Sequence, residues 1–503
     1  MLLKKDNIDD SDLTAAFAEK LPLSFVKKNL VLPLHASADG LLVAIADPAS
    51  LHALDEVRRA FNMKVVPVLV PAGEVLDAIH RIYERPSGTA ERVAEEISEE
   101  SLEAVARQWE GPRDLLELVD EAPVIRLLNS LLFQAVKEKA SDVHIEPYER
   151  ELEVRFRRDG VLSHVISPPK AVQDSLVSRV KIMSGLDIAE KRLPQDGRIR
   201  LLVAGNDIDA RVSTVPTSFG ERVVIRLLDR KGGLVRLSEL GLSKPQEASV
   251  EALLTRSTGI ILSTGPTGSG KTTTLYAALN RININERNVI TVEDPVEYQL
   301  KGVGQIQVNS KIGLTFASGL RSVLRQDPDV IMVGEIRDPE TAAMAIQASL
   351  TGHLVLSTLH TNDAPTAVTR LVDMGVEPFL LSSSLLAVIG QRLVRVLCPS
   401  CREEHPLSPS EKALFKAGAP SSLWKAKGCP KCMGTGYRGQ TGIFEFMHID
   451  PEMRALLLKS VDASTIREHA ISKGMTTLNE DGLRKAAQGI TSLEEVIRVS
   501  MGD

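Results

Sequence analysis

Residues 265–272 of this chain read Gly-Pro-Thr-Gly-Ser-Gly-Lys-Thr. Gly265, Gly268 and Gly270 allow backbone N–H groups to turn inward around phosphate oxygens, because no Cβ blocks the approach. Lys271 adds a point charge at the β- and γ-phosphates, and Thr272 offers a hydroxyl to Mg²⁺. Pro266, Thr267 and Ser269 complete the loop. Thr273 continues into a helix whose N-terminus adds a partial positive charge. Such a loop handles a nucleoside triphosphate, and the expected chemistry is ATP hydrolysis. A second group of residues can hold a metal. The four cysteines of the chain fall in two pairs, Cys398-Pro-Ser-Cys401 and Cys429-Pro-Lys-Cys432, separated by 27 residues. Each Cys-x-x-Cys turn aims two thiolates at one point, and two turns complete a tetrahedron for Zn²⁺. Four thiolates leave no open position, so the zinc is expected to be structural. Two separate redox dithiols are the alternative.

Three later strand ends belong with the phosphate loop. Val289–Val292 leads into Glu293-Asp294-Pro295-Val296-Glu297, Val330–Val333 into Gly334-Glu335, and Leu354–Ser357 into Thr358-Leu359-His360. Ligands of a parallel α/β sheet sit outside the carboxyl ends of its strands, so these residues are expected to converge near the phosphates. Glu335 is the candidate for positioning and polarising the attacking water. Gly334 stands where an aspartate often precedes such a glutamate. That leaves Mg²⁺ to Thr272 and waters, with help from Glu335 or from Asp294 and Glu297. Asp294 and Glu297 could equally be turn or cap acids, and His353 and His360 could be structural. Arg211, Arg222 and Arg226 stand on strands of the preceding domain, with Arg222 and Arg226 on one face. Arg321, Arg325 and Arg337 flank the Glu335 strand. Charge building on a phosphoryl group needs cationic partners, although a solvated strand face would look the same.

Around these residues, Ile260–Ser263 is a strand and Thr273–Ile282 a helix, the context the loop requires. Residues 1–83 read as a small α/β module, with strands at 41–45 and 65–70 and helices at 51–61 and 76–83. Residues 84–120 are an acidic linker carrying Glu95, Glu96, Glu99, Glu100 and Glu103. Residues 121–240 are a second α/β domain. It opens with an amphipathic helix from Pro123 to Lys139. The alternating strand Glu151–Arg157 then turns at Asp159-Gly160, and further strands lie at 199–203, 208–212 and 222–227. Residues 241–395 alternate strands and helices, 396–440 carry the cysteines, and 441–503 are helical. Hydrophobic content of 43% and charged content of 25% suit a globular chain of several domains. No stretch reaches the ~18 apolar residues of a membrane helix, and Met1–Asp6 lacks the apolar core of a secretory signal. A net charge of −6 and 4% aromatic residues argue against a nucleic-acid translocase, which shares this kind of ATPase core.

Several longer segments then line up with a known set. They are Val292-Glu-Asp-Pro-Val-Glu-Tyr298, the run from Leu324 to Asp338, and Thr351-Gly-His-Leu-Val-Leu-Ser-Thr-Leu-His-Thr-Asn-Asp363. Upstream stand Ala140-Ser-Asp-Val-His-Ile-Glu-Pro147, Leu193–Ile199 and Arg211–Thr217. Over residues 120–503 the chain resembles the secretion ATPases of the type II secretion system and the type IV pilus. In the family's terms these segments include an aspartate box, an atypical Walker B and a histidine box. The resemblance implies an α/β multidomain fold. A PAS-like α/β domain precedes a RecA-like P-loop ATPase domain, with the small N-terminal module before them, an inserted four-cysteine zinc module and a helical C-terminus. It implies a homohexameric motor, peripheral on the cytoplasmic face of the inner membrane, whose membrane contact is indirect. ATP, Mg²⁺ and Zn²⁺ are the implied cofactors. Residues 1–83 would bind the cytoplasmic domain of a membrane anchor, and the motor would move a polytopic platform protein. No nucleic-acid partner is expected. Arg211 and Arg226 would act on nucleotide beside Lys271, Asp294, Glu297, Glu335 and His360. The four-cysteine module and the length favour secretion or pilus assembly over retraction, and Leu186–Gly197 looks most like the type II secretion branch. A type IV pilus assembly motor is the alternative.

Overall fold

A computed structural model of the chain describes residues 123–500 except 204–205, 230–234 and 416–417. In the N-terminal region it describes 3–4, 8, 13–14, 20–21, 23–37, 40–47 and 51–83. The acidic segment expected at 84–120 lies outside the described residues. The chain divides into two compact units, residues 1–232 and 233–503.

The first unit holds two sheets. In the N-terminal module, β1 (Leu3–Lys4), β2 (Val31–Ser37), β3 (Gly40–Ile45) and β4 (Val65–Leu69) lie in the order β1-β4-β3-β2. Helices Leu23–Asn29, Leu51–Phe61 and Ala72–Tyr83 accompany them. Leu54, Val57 and Phe61, three and four residues apart, fall on one helical face and join the core with Val43, Ile45 and Ile79. The second sheet comprises β5 (Asp142–Pro147), β6 (Leu152–Arg158), β7 (Val161–Ile166), β8 (Gln195–Val203), β9 (Asn206–Thr217) and β10 (Gly220–Asp229). Its order is β7-β6-β5-β10-β9-β8, antiparallel throughout. Leu152, Val154 and Phe156 are fully buried. Asp159 and Gly160, at φ 48° and 81°, make the tight turn into β7. Helices Pro123–Lys137 and Gln173–Met183 supply Leu127, Leu131, Leu176 and Val180 to the same core. Strands β8 and β9 run longer than their apolar patterns, because Gln195–Arg198 is a polar, largely exposed stretch of an edge strand.

The second unit is built on β11 (Gly259–Thr264), β12 (Val289–Glu293), β13 (Gly304–Gln307), β14 (Val330–Val333), β15 (Leu354–Leu359), β16 (Leu385–Leu397) and β19 (Tyr437–His448), in the order β13-β12-β14-β15-β11-β16-β19. The four central strands, β12, β14, β15 and β11, are parallel and buried along their whole length. Strands covered on both faces read as continuous apolar runs, which is why they stand out in the sequence. Two expectations need correction. The sheet does not end near 395: β16 runs to Leu397, and β19 returns antiparallel to it. The range expected to close the cysteine module and begin a helical tail therefore supplies the sheet's last strand. In β19, Ile443 to Met447 are buried on both faces, so no period-2 signal marks it. Leu237 and Leu240, expected in the second domain, pack into this unit's core with Leu242, Tyr276 and Leu279. The cysteine segment, with β17 (Glu403–Pro406) paired to β18 (Ser422–Lys425), is inserted between β16 and β19. Helices Pro451–Leu457, Ala463–Ser472, Leu478–Ala487 and Leu493–Ser500 follow.

Candidate active site and metal centre

The phosphate loop leaves β11 at Thr264 and enters the helix Lys271–Leu279. Gly268 and Gly270 sit at φ 80° and 85°, conformations open to glycine but strained for other residues. A Cβ on Gly265 would lie 2.3 Å from the Gln391 carbonyl oxygen of β16, so that residue also has no room for a side chain. Gln391 backs the loop from below, its Oε1 accepting the Thr274 hydroxyl at 2.7 Å. The Lys271 ammonium donates to the carbonyls of Gly265 (2.7 Å) and Pro266 (3.0 Å). Lys271 is buried, and burial pulls its pKa down to about 8 against the opposing pull of the Glu335 charge. Ser269 is buried with no partner for its hydroxyl oxygen, while Thr272 is exposed at the helix start. A cationic cradle with an unpaired buried hydroxyl and left-handed glycines fits phosphate oxygens. Lys271, Thr272 and the loop amides are the groups that would hold them.

Strands β14 and β15 deliver Glu335 and His360 to the same edge. The Glu335 carboxylate accepts from Arg337 at 2.6 Å and from His360 Nε2 at 3.1 Å. The Glu335 hydrogen bond raises the Arg337 pKa, with a further contribution from Asp294. Backbone contacts fix the turn: Gly334 N–H donates to Val292 O at 2.8 Å, and Thr358 Oγ1 donates to Gly334 O at 2.7 Å. A Cβ on Gly334 would meet Phe316, Val292 O and Glu293 at 3.4 to 3.5 Å, close to the limit of ordinary contact. The aspartates that end two of the quoted segments are helix caps. Asp338 accepts from Thr341 N–H, and Asp363 from Thr366 N–H, each at 2.8 Å. Each cap is worth about 1 kcal/mol and starts a helix directly after a site strand. Asp294 is exposed and Glu297 half-buried on the loop after β12.

Other expected residues lie elsewhere. Arg321 pairs with Glu340 at 2.6 Å, and Arg325 donates back to the Arg321 carbonyl at 2.8 Å. His353 Nδ1 lies 2.9 Å from Ala348 O at the end of the helix Pro339–Leu350, a structural contact. In the first unit, the register places Arg198, Arg211, Arg226, Asp142 and Arg157 in one row across β8, β9, β10, β5 and β6. Asp142 accepts from Arg226 at 3.0 Å and lies 3.7 Å from Arg157. Glu146 pairs with Arg222 and Arg155. The register thus sets four arginines and one carboxylate side by side across these strands.

Cys398, Cys401, Cys429 and Cys432 bring four Sγ atoms within 4.8 Å of one another. Cys398–Cys429 is 3.9 Å, Cys401–Cys432 3.7 Å and Cys429–Cys432 3.7 Å. A tetrahedron with Zn–S of ~2.3 Å has S–S edges of ~3.8 Å, so the donor set and its spacing fit zinc. The Cys429 and Gly436 N–H groups point at Cys432 Sγ from 3.1 and 3.2 Å, and such donors favour thiolate. Sequence reasoning did not single out Gln391, Tyr276 or Gln305. Their contacts with Thr274 and Glu293 span 12 to 117 residues of chain, and no local spacing signals them.

Comparison with known proteins agrees with this geometry. The family described as type II/IV secretion system protein matches residues 117–498, and an MshEN domain matches residues 6–89. Type II secretion system protein E of Pseudomonas aeruginosa is 48% identical over 98% of this chain and 98% of its own length. Type II secretion system ATPase E of Vibrio cholerae is 49% identical over 96% of each chain. Among solved structures, the pilus retraction motor PilT with bound ADP matches with a TM-score of 0.50 at 26% identity, over 74% of this chain and 96% of that one.

Proposed function

The chain belongs to the type II/IV secretion system protein family, and on that premise we propose that it is the ATP-hydrolysing motor of a type II secretion system, working as a homohexamer. It is an ATPase with a RecA-like core. The observation that carries the reading is the convergence of Lys271, Glu335 and His360 at the carboxyl edge of one parallel sheet, in a chain matched end to end by type II secretion ATPases. Lys271 and the loop amides bind the β- and γ-phosphates, and Glu335 orients the attacking water, held by Arg337 and His360. Bound Mg²⁺ would neutralise charge on the phosphates, with Thr272 and the carboxylates of Glu335, Asp294 and Glu297 as the available oxygens. Arg211 and Arg226 would supply positive charge to the transferring phosphoryl group. Zn²⁺ on the four cysteines would hold the inserted module as a contact surface. Residues 1–83 would bind the cytoplasmic part of a membrane anchor, placing the motor on the inner-membrane face beside a polytopic platform protein. No helix among the described residues is long and apolar enough to cross a membrane.

The assembly claim is tested by mass photometry of the full chain with Mg-ATP, run beside steady-state turnover. Particles of six chains, with turnover per chain rising as they form, are expected. A monomer that turns over as fast as an enforced hexamer would refute the requirement for neighbours.

A further inference from the structure

Between the phosphate-loop helix and the loop after β12 lies a buried polar cluster that the chemistry above does not use. Tyr276 is fully buried, and Glu293, the last residue of β12, is 3% exposed. The Tyr276 hydroxyl donates to the Glu293 carboxylate. The same carboxylate accepts from Thr291 Oγ1 at 2.6 Å and from Gln305 Nε2 at 3.1 Å. The Tyr276 oxygen in turn accepts the Glu297 N–H at 3.3 Å, and Gln305 Nε2 lies 3.4 Å from it. Gln305 closes the ring of contacts, accepting the Leu300 N–H at 2.7 Å and donating to the Tyr298 carbonyl at 3.1 Å. The Tyr298 ring packs 4.3 Å from the Tyr276 ring, centroid to centroid. Burial together with the Glu293 contact pushes the Tyr276 pKa upward, so its hydroxyl keeps its proton and remains the donor.

A carboxylate in a core is costly, and Glu293 is met by three neutral donors rather than by a cation. Apolar residues would pack such a site at lower cost. What the cluster supplies is geometry. Tyr276 stands five residues after Lys271 on one rigid helix, and its oxygen holds the amide of Glu297. We propose that Tyr276, locked by Glu293, is a positioning residue that fixes Glu297 relative to the phosphate loop, so that the Glu297 carboxylate meets the reacting phosphate at a set distance. The proposal rests on the reading of Glu297 as a working carboxylate of the nucleotide site. Gly334 adds to its weight, because the strand neighbouring β12 supplies no carboxylate at that position.

The test uses the full chain and four variants: Tyr276→Phe, Glu293→Gln, Glu297→Gln and the Tyr276→Phe/Glu297→Gln double. Tyr276→Phe keeps the buried ring and removes only the hydroxyl. Glu293→Gln keeps the shape but leaves one oxygen to accept from the three donors Tyr276, Thr291 and Gln305, an independent weakening of the lock on Tyr276 if the first variant folds poorly. Turnover is expected to fall about tenfold or more in each, since small displacements at a reacting centre are costly. Binding of a fluorescent ATP analogue should stay within about twofold, and the double variant should be no slower than Glu297→Gln alone. Wild-type turnover in a folded Tyr276→Phe protein would overturn the proposal. So would a double variant slowed by the product of the two single effects. Wild-type turnover in Glu297→Gln, with Lys271→Ala inactive, would instead remove the Glu297 reading and the proposal with it, leaving the phosphate loop intact.

Discussion

Lys271 ties nucleotide affinity to pH. In the loop its pKa is drawn down to about 8 by burial, against the usual 10.5. Phosphate oxygens beside the ammonium favour the charged form and return the pKa toward its ordinary value or above. The bound state therefore has the higher pKa, so binding takes up a proton. Affinity is full below pH 8 and falls as pH rises through the ligand-free pKa. The expected loss is about tenfold at pH 9, or about 1.4 kcal/mol, and roughly thirtyfold at pH 9.5. The assay is isothermal titration with a non-hydrolysable ATP analogue and Mg²⁺ from about pH 7.5 to 9.5, where the triphosphate is fully ionised. Buffers of different ionisation enthalpy report the proton directly. Lys271→Arg, which cannot deprotonate in this range, should bind more weakly but without the slope. A flat wild-type profile with no proton uptake near about pH 8.5 would refute the reasoning.

Three further outcomes are expected. Glu335→Gln should lower turnover by at least about a hundredfold with nucleotide binding kept, measured by steady-state hydrolysis beside analogue binding; wild-type turnover would remove Glu335 from its role. Gly265→Ala places a methyl 2.3 Å from the Gln391 carbonyl, and should abolish nucleotide binding and cost about 1–3 kcal/mol in a denaturant titration. Changing Cys398 and Cys401 to Ser, or removing metal with a chelator, should release one zinc per chain by elemental analysis and unfold the inserted module; a melting profile unchanged after complete metal removal would deny the structural role.

The phosphate loop and the strand ends around it were legible because their signals are local. A glycine-rich turn lies between an apolar run and a helix, and strands buried on both faces read as unbroken apolar stretches. The two Cys-x-x-Cys pairs were legible for the same reason. What stayed hidden depends on contacts distant in sequence. From Ile443 to Met447, β19 gives no alternation because both of its faces are covered there. The arginine row exists only once the register sets Arg198, Arg211 and Arg226 side by side with Asp142. Arg321 resembled a phosphate ligand by proximity to the Glu335 strand, yet its helix aims it at Glu340. Asp338 and Asp363 close segments that carry site residues, but both satisfy the first amides of helices. Capping and catalysis draw on the same side chain, and only geometry separates them.

The central claim is that ATP turnover at this loop drives type II secretion. Its most direct test is a chromosomal Lys271→Ala replacement in the source organism, scored in parallel for exoproteins in the medium and for pili on the surface. Loss of secreted proteins with pili intact is the predicted result. Loss of pili with secretion intact would contradict it and move the motor to pilus assembly.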